Sequence, residues 1–223
     1  MTVLVLIAAY RGEGMIGPTV RAVRSIPAVD DVVVVDDGSG DGTPAEAAAA
    51  GARVLVAPDN RGKGGALEGA LDRLPPADTY LLLDQDLGPS AEAAQDLLGP
   101  VLEGRADLVI GVLPRQAGHG GFRVVKRMSA ALIRALSGFR TGEPMSGQRA
   151  LTARAMAAVR PLAPGFGVEL GMTVDAVRAG LRVLEVPVPM THAVTGRDLT
   201  GFRHRARQGR DHLRAALGRF ARR

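Results

Sequence analysis

The chain of 223 residues contains no cysteine and no tryptophan, and only 3% of its residues are aromatic. The lack of cysteine excludes disulfides and thiolate metal sites. The shortage of aromatic side chains argues against a single-stranded nucleic-acid site built on base stacking. No apolar run approaches the ~18 residues that a membrane-spanning helix needs. We therefore expect a soluble or peripheral protein that does not bind nucleic acid.

Lysine is almost absent, with Lys63 and Lys126 the only two, and the basic residues are nearly all arginine. Residues 203–223 carry eight arginines and a single acid. We predict a basic helix over 202–223, following one domain over 1–201. Such a helix can lie on an anionic membrane surface, or its apolar stripe can pack on the domain while the arginines stay solvated.

The first residues form an apolar run with no basic segment before it, which predicts no signal peptide and a cytoplasmic protein. That protein is either free in the cytoplasm or peripheral on the inner face of the membrane. Apolar runs then alternate with alanine-rich helical segments. This alternation predicts an α/β fold with a mostly parallel sheet, a single Rossmann-like domain. Strands are predicted near 3–8, 32–36, 53–57, 79–83, 107–111, 146–152 and 181–188; helices are predicted near 15–25, 43–50, 64–73, 91–103, 122–137 and 167–180.

Two acidic clusters stand at the ends of two of these runs. Asp36 and Asp37 follow four valines, and Asp84-Gln85-Asp86 follows a tyrosine and three leucines. With strand order 3-2-1-4, both clusters lie at the carboxyl edge of the sheet, where open α/β folds bind ligands. Carboxylates there suit Mg²⁺ or Mn²⁺ and a diphosphate. The alternative for residues 36–39 is turn and helix-cap chemistry alone.

Residues 12–17 fit the pattern G-x-G-x-x-G of dinucleotide-binding folds. We reject this interpretation because three residues separate the first glycine from its strand. Pro18 also follows the third glycine, where the helix should already be packed on the sheet.

Four further residues are candidates for chemistry. Lys63 lies in a glycine-rich turn that opens a helix, so it is either an anion contact or part of a plain loop. Glu143 and Glu169 are isolated acids, each a candidate general base or a cap or surface carboxylate. His192 is either structural or a third ligand for Mn²⁺.

These motifs resemble those of glycosyltransferase family 2, whose members have the GT-A fold. Residues 7–13 resemble the first-strand motif, in which Tyr10 and Glu13 frame the nucleotide base. Residues 35–39 match the second-strand motif, Gly62-Lys63-Gly64 the opening of the third helix, and Asp84-Gln85-Asp86 the D-x-D metal motif. The resemblance places nucleotide-sugar contacts at Ala8, Tyr10, Glu13, Asp36, Asp37, Lys63, Asp84 and Gln85.

The resemblance implies an enzyme that moves a sugar from a nucleoside diphosphate-sugar, with Mg²⁺ or Mn²⁺ as cofactor. Asp37 would contact the base or ribose. Asp86 would bind the cation, with Asp84 and His192 assisting. The resemblance also implies inversion at the anomeric carbon, with Glu169 or Glu143 as the base if the acceptor is a hydroxyl.

The second half of the chain leaves the acceptor open. Residues 143–147 and 185–188 resemble polyprenyl-phosphate sugar transferases, which implies a lipid phosphate acceptor and an anionic membrane surface nearby. Residues 165–171 with His192 resemble the glucosyl-3-phosphoglycerate synthases, which retain the anomeric configuration and use a small-molecule acceptor. A non-catalytic sugar-nucleotide-binding protein is the third possibility.

Overall fold

A computed structural model describes residues 1–114 and 122–192. In these residues seven strands form one sheet with the order β3-β2-β1-β4-β6-β5-β7. The strands are β1 (Val3–Ala9), β2 (Asp31–Asp36), β3 (Arg53–Val56), β4 (Thr79–Asp84), β5 (Leu108–Val112), β6 (Arg149–Thr152) and β7 (Val183–Pro187). The helices are α1 (Ile16–Arg24), α2 (Thr43–Ala49), α3 (Gly62–Leu71), α4 (Gln95–Leu102), α5 (Phe122–Ser137), α6 (Ala153–Val159) and α7 (Val168–Arg178), with 3₁₀ turns at Gly88–Ala94 and Gly165–Gly167.

The composition of the central strands accounts for their burial. β1, β2 and β4 are runs of valine, leucine and isoleucine that are buried on both faces of the sheet. One face packs on α1 and α4, and the other packs on α3, α6 and α7. The predicted order 3-2-1-4 with parallel pairing is confirmed.

One strand runs against the others. β6 lies between β4 and β5 and is antiparallel to both. The sequence predicts a strand over 146–152, but the structure has it only from Arg149 to Thr152. Residues 146–148 instead form the approach to the strand, and they reach the carboxyl end of β4.

None of the helices in the described part of the chain is long and apolar enough to cross a membrane. The predicted basic helix over 202–223 and the boundary after residue 201 lie outside the described residues. Both therefore stay predictions.

Helix α3 is held unusually close to the segment that precedes α7. A Cβ added to Gly64 would lie 1.8 Å from the carbonyl oxygen of Ala163, so only glycine fits there. Farther along α3, Glu68 accepts hydrogen bonds from Arg160 Nε at 3.0 Å and from the Leu162 N–H at 2.9 Å. The start of α3 is thereby fixed relative to the start of α7.

We predict that Gly64→Ala lowers the free energy of unfolding by about 1–3 kcal/mol, because the new methyl group overlaps a backbone carbonyl. Gly69→Ala is the matched control in the same helix, since a Cβ at Gly69 meets no atom within 4 Å. That change should raise stability by roughly 1 kcal/mol through helix propensity. Urea unfolding of the two variants measures both effects, and equal stabilities would contradict the close packing.

Candidate active site

The acidic clusters lie at the carboxyl edge of the sheet, on either side of β1. Ala8 pairs with Val35 on β2 and with Asp84 on β4, and Ala9 pairs with Asp36. The edge predicted from the sequence is therefore the edge at which the acids meet. A ligand lying across the end of β1 would contact both clusters.

The two acids that end β2 have different partners. Asp36 accepts hydrogen bonds from the hydroxyl and the N–H of Ser39, which closes the turn after the strand. The carboxylate of Asp37 accepts the N–H groups of Arg61 at 2.8 Å and Gly62 at 2.7 Å. Burial raises the pKa of Asp37, although these two hydrogen bonds oppose the shift. Asp37 thus ties β2 to the start of α3, and its contact with a base or ribose stays a prediction.

The loop after β1 is shaped by side chains from distant parts of the chain. Gln85 accepts the N–H of Tyr10 at 2.8 Å and donates to the carbonyl of Tyr10 at 3.2 Å. Glu13 accepts the N–H of Gly42 at 3.1 Å, before α2. The Tyr10 ring is 41% exposed at this edge and has the Arg11 guanidinium 5.3 Å from its centre. Tyr10 is thus available to a planar ligand, whereas Glu13 and Gln85 bond to backbone.

Lys63 links the first acid of the Asp84-Gln85-Asp86 motif to Glu169. Its ammonium lies 2.5 Å from Asp84 Oδ1 and 3.0 Å from Glu169 Oε1, and the lysine side chain is only 15% exposed. Burial alone would lower the pKa of Lys63, but the two carboxylates outweigh it and raise the pKa. Burial would raise the pKa of Asp84, whereas Lys63 and His192 lower it. The charge of Lys63 thus favours the ionised form of Asp84.

Asp86 and His192 form the second contact of the site. His192 Nδ1 lies 2.9 Å from Asp86 Oδ1, and His192 Nε2 lies 4.0 Å from Asp84 Oδ2. Burial would lower the pKa of His192, but the Asp86 hydrogen bond and the charges of Asp84 and Asp86 raise it. Across residues 1–114 and 122–192, no three acidic, histidine or cysteine side chains already surround a common metal position.

The two candidate bases occupy different places. Glu169, at the start of α7, is 5% exposed and reaches the site through Lys63. Glu143 pairs with Lys126 at 2.5 Å. Its loop is held by Glu185, which accepts from the hydroxyl of Thr141 and from the Gly142 and Glu143 N–H groups. The structure thus brings Glu169, rather than Glu143, beside Asp84.

The sequence did not predict two further functional candidates, Gln148 and Arg149. The structure shows that both are fully buried. Gln148 Nε2 donates to Asp84 Oδ2 at 2.9 Å. Arg149 donates to the carbonyl of Ser146 at 2.9 Å and to the hydroxyl of Thr173 at 3.0 Å. Burial lowers the pKa of Arg149 to about 10, so it remains a cation at neutral pH. Arg149 begins β6 and Gln148 immediately precedes it, whereas site residues of a parallel sheet are expected after a strand.

The parallel strand order and the acids at its carboxyl edge place the chain in the class of α/β proteins with the GT-A fold. The sequence model of glycosyl transferase family 2 matches residues 4–156, which is more than half of the chain, and the chain belongs to this family.

Relatives with solved structures have the same architecture. The structure of glucosyl-3-phosphoglycerate synthase from Mycobacterium tuberculosis with phosphoglyceric acid superposes with a TM-score of 0.82 and 28% identity, covering 98% of this chain and 79% of that chain. The same enzyme with Mn²⁺, UDP-glucose and phosphoglyceric acid gives a TM-score of 0.80 and 27% identity over the same shares. These structures confirm the predicted GT-A fold.

The glucosyl-3-phosphoglycerate synthase of Mycolicibacterium paratuberculosis is 34% identical over 205 residues, which cover 81% of this chain. The chain spans 61% of the length of that relative.

We predict that Lys63→Met lowers the free energy of unfolding by about 3 kcal/mol, because it removes the cation shared by the buried Glu169 and the partly buried Asp84. Lys126→Met is the matched control, since Lys126 pairs with the partly exposed Glu143 and should cost less than about 1 kcal/mol. Chemical unfolding at neutral pH compares the two. Equal losses would show that the Lys63 pair is no more than a surface contact.

Proposed function

We propose that this protein transfers glucose from UDP-glucose to a small phosphorylated hydroxy acid of the 3-phosphoglycerate type, with a divalent cation as cofactor. The observation that carries the proposal is the joining of Asp84, Asp86, His192 and Glu169 at one edge of the sheet. The names and ligands of the relatives support the donor, the cation and the acceptor. They support this acceptor better than the lipid phosphate that the sequence also allowed, and they lend no support to a membrane surface.

The residues present fit a cation of the Mg²⁺ or Mn²⁺ kind. Asp86 and His192 offer a carboxylate oxygen and an imidazole nitrogen within 2.9 Å of each other, and both donor types suit Mn²⁺. Asp84 is less free, because Lys63 contacts one of its oxygens and Gln148 the other. We therefore assign the cation to Asp86 and His192, with Asp84 as an adjacent charge. A bound cation neutralises the charge that develops on a leaving diphosphate.

The other residues bind and orient. Tyr10 presents its exposed ring where the base of the nucleotide would stack. Asp37 holds the start of α3, which fixes the backbone beside the nucleotide. Lys63 favours the ionised form of Asp84 and keeps Glu169 beside it. The carboxylate of Glu169 then accepts a hydrogen bond near the reacting centre, from a hydroxyl of the sugar or of the molecule that receives it.

The stereochemical outcome follows from the relationship to the synthases, so we propose retention in place of the inversion first expected. Glu169 already makes an ion pair with Lys63, which occupies one of its two carboxylate oxygens. Glu143, paired with Lys126, is no better placed. Retention does not require either acid to deprotonate an acceptor on the opposite face of the sugar.

We expect Asp86→Asn to reduce turnover of UDP-glucose by about 100-fold or more, because a ligand charge is lost at the diphosphate end of the donor. Asp96→Asn, an exposed aspartate on α4, is the control and should keep full turnover. UDP release measured with Mn²⁺ and with EDTA tests whether turnover depends on the metal. Undiminished turnover in EDTA would contradict the metal-dependent mechanism.

The acceptor and the anomer can be tested together. Purified protein with UDP-glucose and Mn²⁺ is offered 3-phosphoglycerate or a short polyprenyl phosphate, and the product is examined by NMR. We expect an α-glucoside of the hydroxy acid, since the glucose of the donor is α-linked. A β-linked product would contradict retention, and transfer only to the lipid would contradict the proposed acceptor. A raised melting temperature with UDP-glucose but no transfer to either would favour the non-catalytic alternative.

A further inference from the structure

Gln148 connects two of the groups at the proposed metal site. Its side chain is 0% exposed. Its Nε2 donates to Asp84 Oδ2 at 2.9 Å and lies 3.5 Å from His192 Nε2. Its partners are 64 and 44 residues away along the chain, so the contact joins the end of β4 to the segment after β7.

The chemistry of Asp84 fixes the orientation of the amide. An ionised carboxylate only accepts hydrogen bonds, so Gln148 must turn its NH₂ group toward Asp84. One hydrogen of that group is donated to Asp84, and the amide nitrogen lies 3.5 Å from His192 Nε2, so the amide also touches the imidazole. His192 in turn contacts Asp86 through its other ring nitrogen at 2.9 Å. The four side chains thus form one continuous row from Asp84 to Asp86.

The same orientation has a cost to folding. Gln148 Oε1 is buried and has no hydrogen-bond partner within the described ranges. A buried acceptor without a partner is destabilising. Fold stability alone therefore does not account for a glutamine here, and buried polar groups of this kind call for a functional explanation.

Asp84 is held from two sides. Lys63 Nζ contacts Oδ1 at 2.5 Å and Gln148 contacts Oδ2. Lys63 neutralises the charge of Asp84. Gln148 contacts both the carboxylate of Asp84 and the imidazole of His192, so it holds one in a fixed position relative to the other.

We propose that Gln148 is a positioning residue that orients Asp84 and His192 so that His192 and Asp86 can bind the divalent cation. The inference rests on the proposed function, since it requires that cation site. Partners that orient metal ligands change metal affinity by about 10- to 100-fold when they are removed. Gln148 would therefore set how strongly the cation supports nucleotide binding.

The test measures the cooperation between cation and nucleotide, not activity. UDP affinity is determined by calorimetry in saturating Mn²⁺ and again in EDTA, and the ratio of the two affinities measures their coupling. Gln148→Met keeps the length of the side chain and removes the N–H donors. We expect the ratio to fall by about 10- to 100-fold, while the affinity for UDP in EDTA stays unchanged.

Gln95→Met is the matched control, because Gln95 is an exposed glutamine at the start of α4. It should leave the ratio as in the wild type. Gln148→Asn keeps the amide but shortens its reach, so it should also lower the ratio, and it replaces Gln148→Met if that variant does not fold. A change in melting temperature below about 4 °C marks a variant as folded.

The outcomes separate this inference from the function on which it rests. A wild-type ratio of one would overturn both the proposed cation site and the role of Gln148. A wild-type ratio above one with no change in a folded Gln148 variant would overturn only the role of Gln148. An equal loss of UDP affinity in Mn²⁺ and EDTA would also overturn it, because that pattern indicates a general structural defect.

Discussion

The site depends on one lysine ammonium group that two carboxylates share. Lys63, at the start of α3, holds its ammonium between Asp84 of β4 and Glu169 of α7. Like charges in such a poorly solvated position repel strongly, so the two acids can be neighbours only while the lysine stays between them. The tight packing of Gly64 on Ala163 therefore has a chemical consequence, since it sets where Lys63 stands.

Acids that look alike in the sequence are given separate tasks by their partners. Asp36 closes a turn and Asp37 holds the start of α3. Asp84 belongs to the lysine pair, and Asp86 faces His192. Of these four, Asp86 makes the close contact with His192, at 2.9 Å, whereas Asp84 Oδ2 lies 4.0 Å from the same imidazole. This division explains how two short acidic motifs can both fix the loops and leave one carboxylate for a cation.

Hydrophobic runs predicted the fold well because buried parallel strands have an unmistakable composition. The doubly wound order 3-2-1-4, and with it the edge where Asp37 and Asp84 lie, was predicted, but the placement of β5, β6 and β7 was not. The hydrophobic pattern did not predict which groups the single polar side chains would bond to. Gln85 bonds to Tyr10 across 75 residues, and Glu169 meets Lys63 from the far half of the chain. Sequence periodicity shows which face a residue occupies, but it does not show which distant backbone group will lie opposite it.

Sequence reasoning missed Gln148 and Arg149 for one reason, which is the direction of β6. In a parallel sheet the site is built from residues that follow strands, so the search begins after each apolar run. β6 is antiparallel to β4, with Arg149 opposite Leu82, so its first residues and not its last lie at the carboxyl edge. Gly147 thereby comes so close that a Cβ would collide with Lys63 and Asp84, and Gln148 reaches Asp84. A reversed strand thus adds to the site residues that precede it.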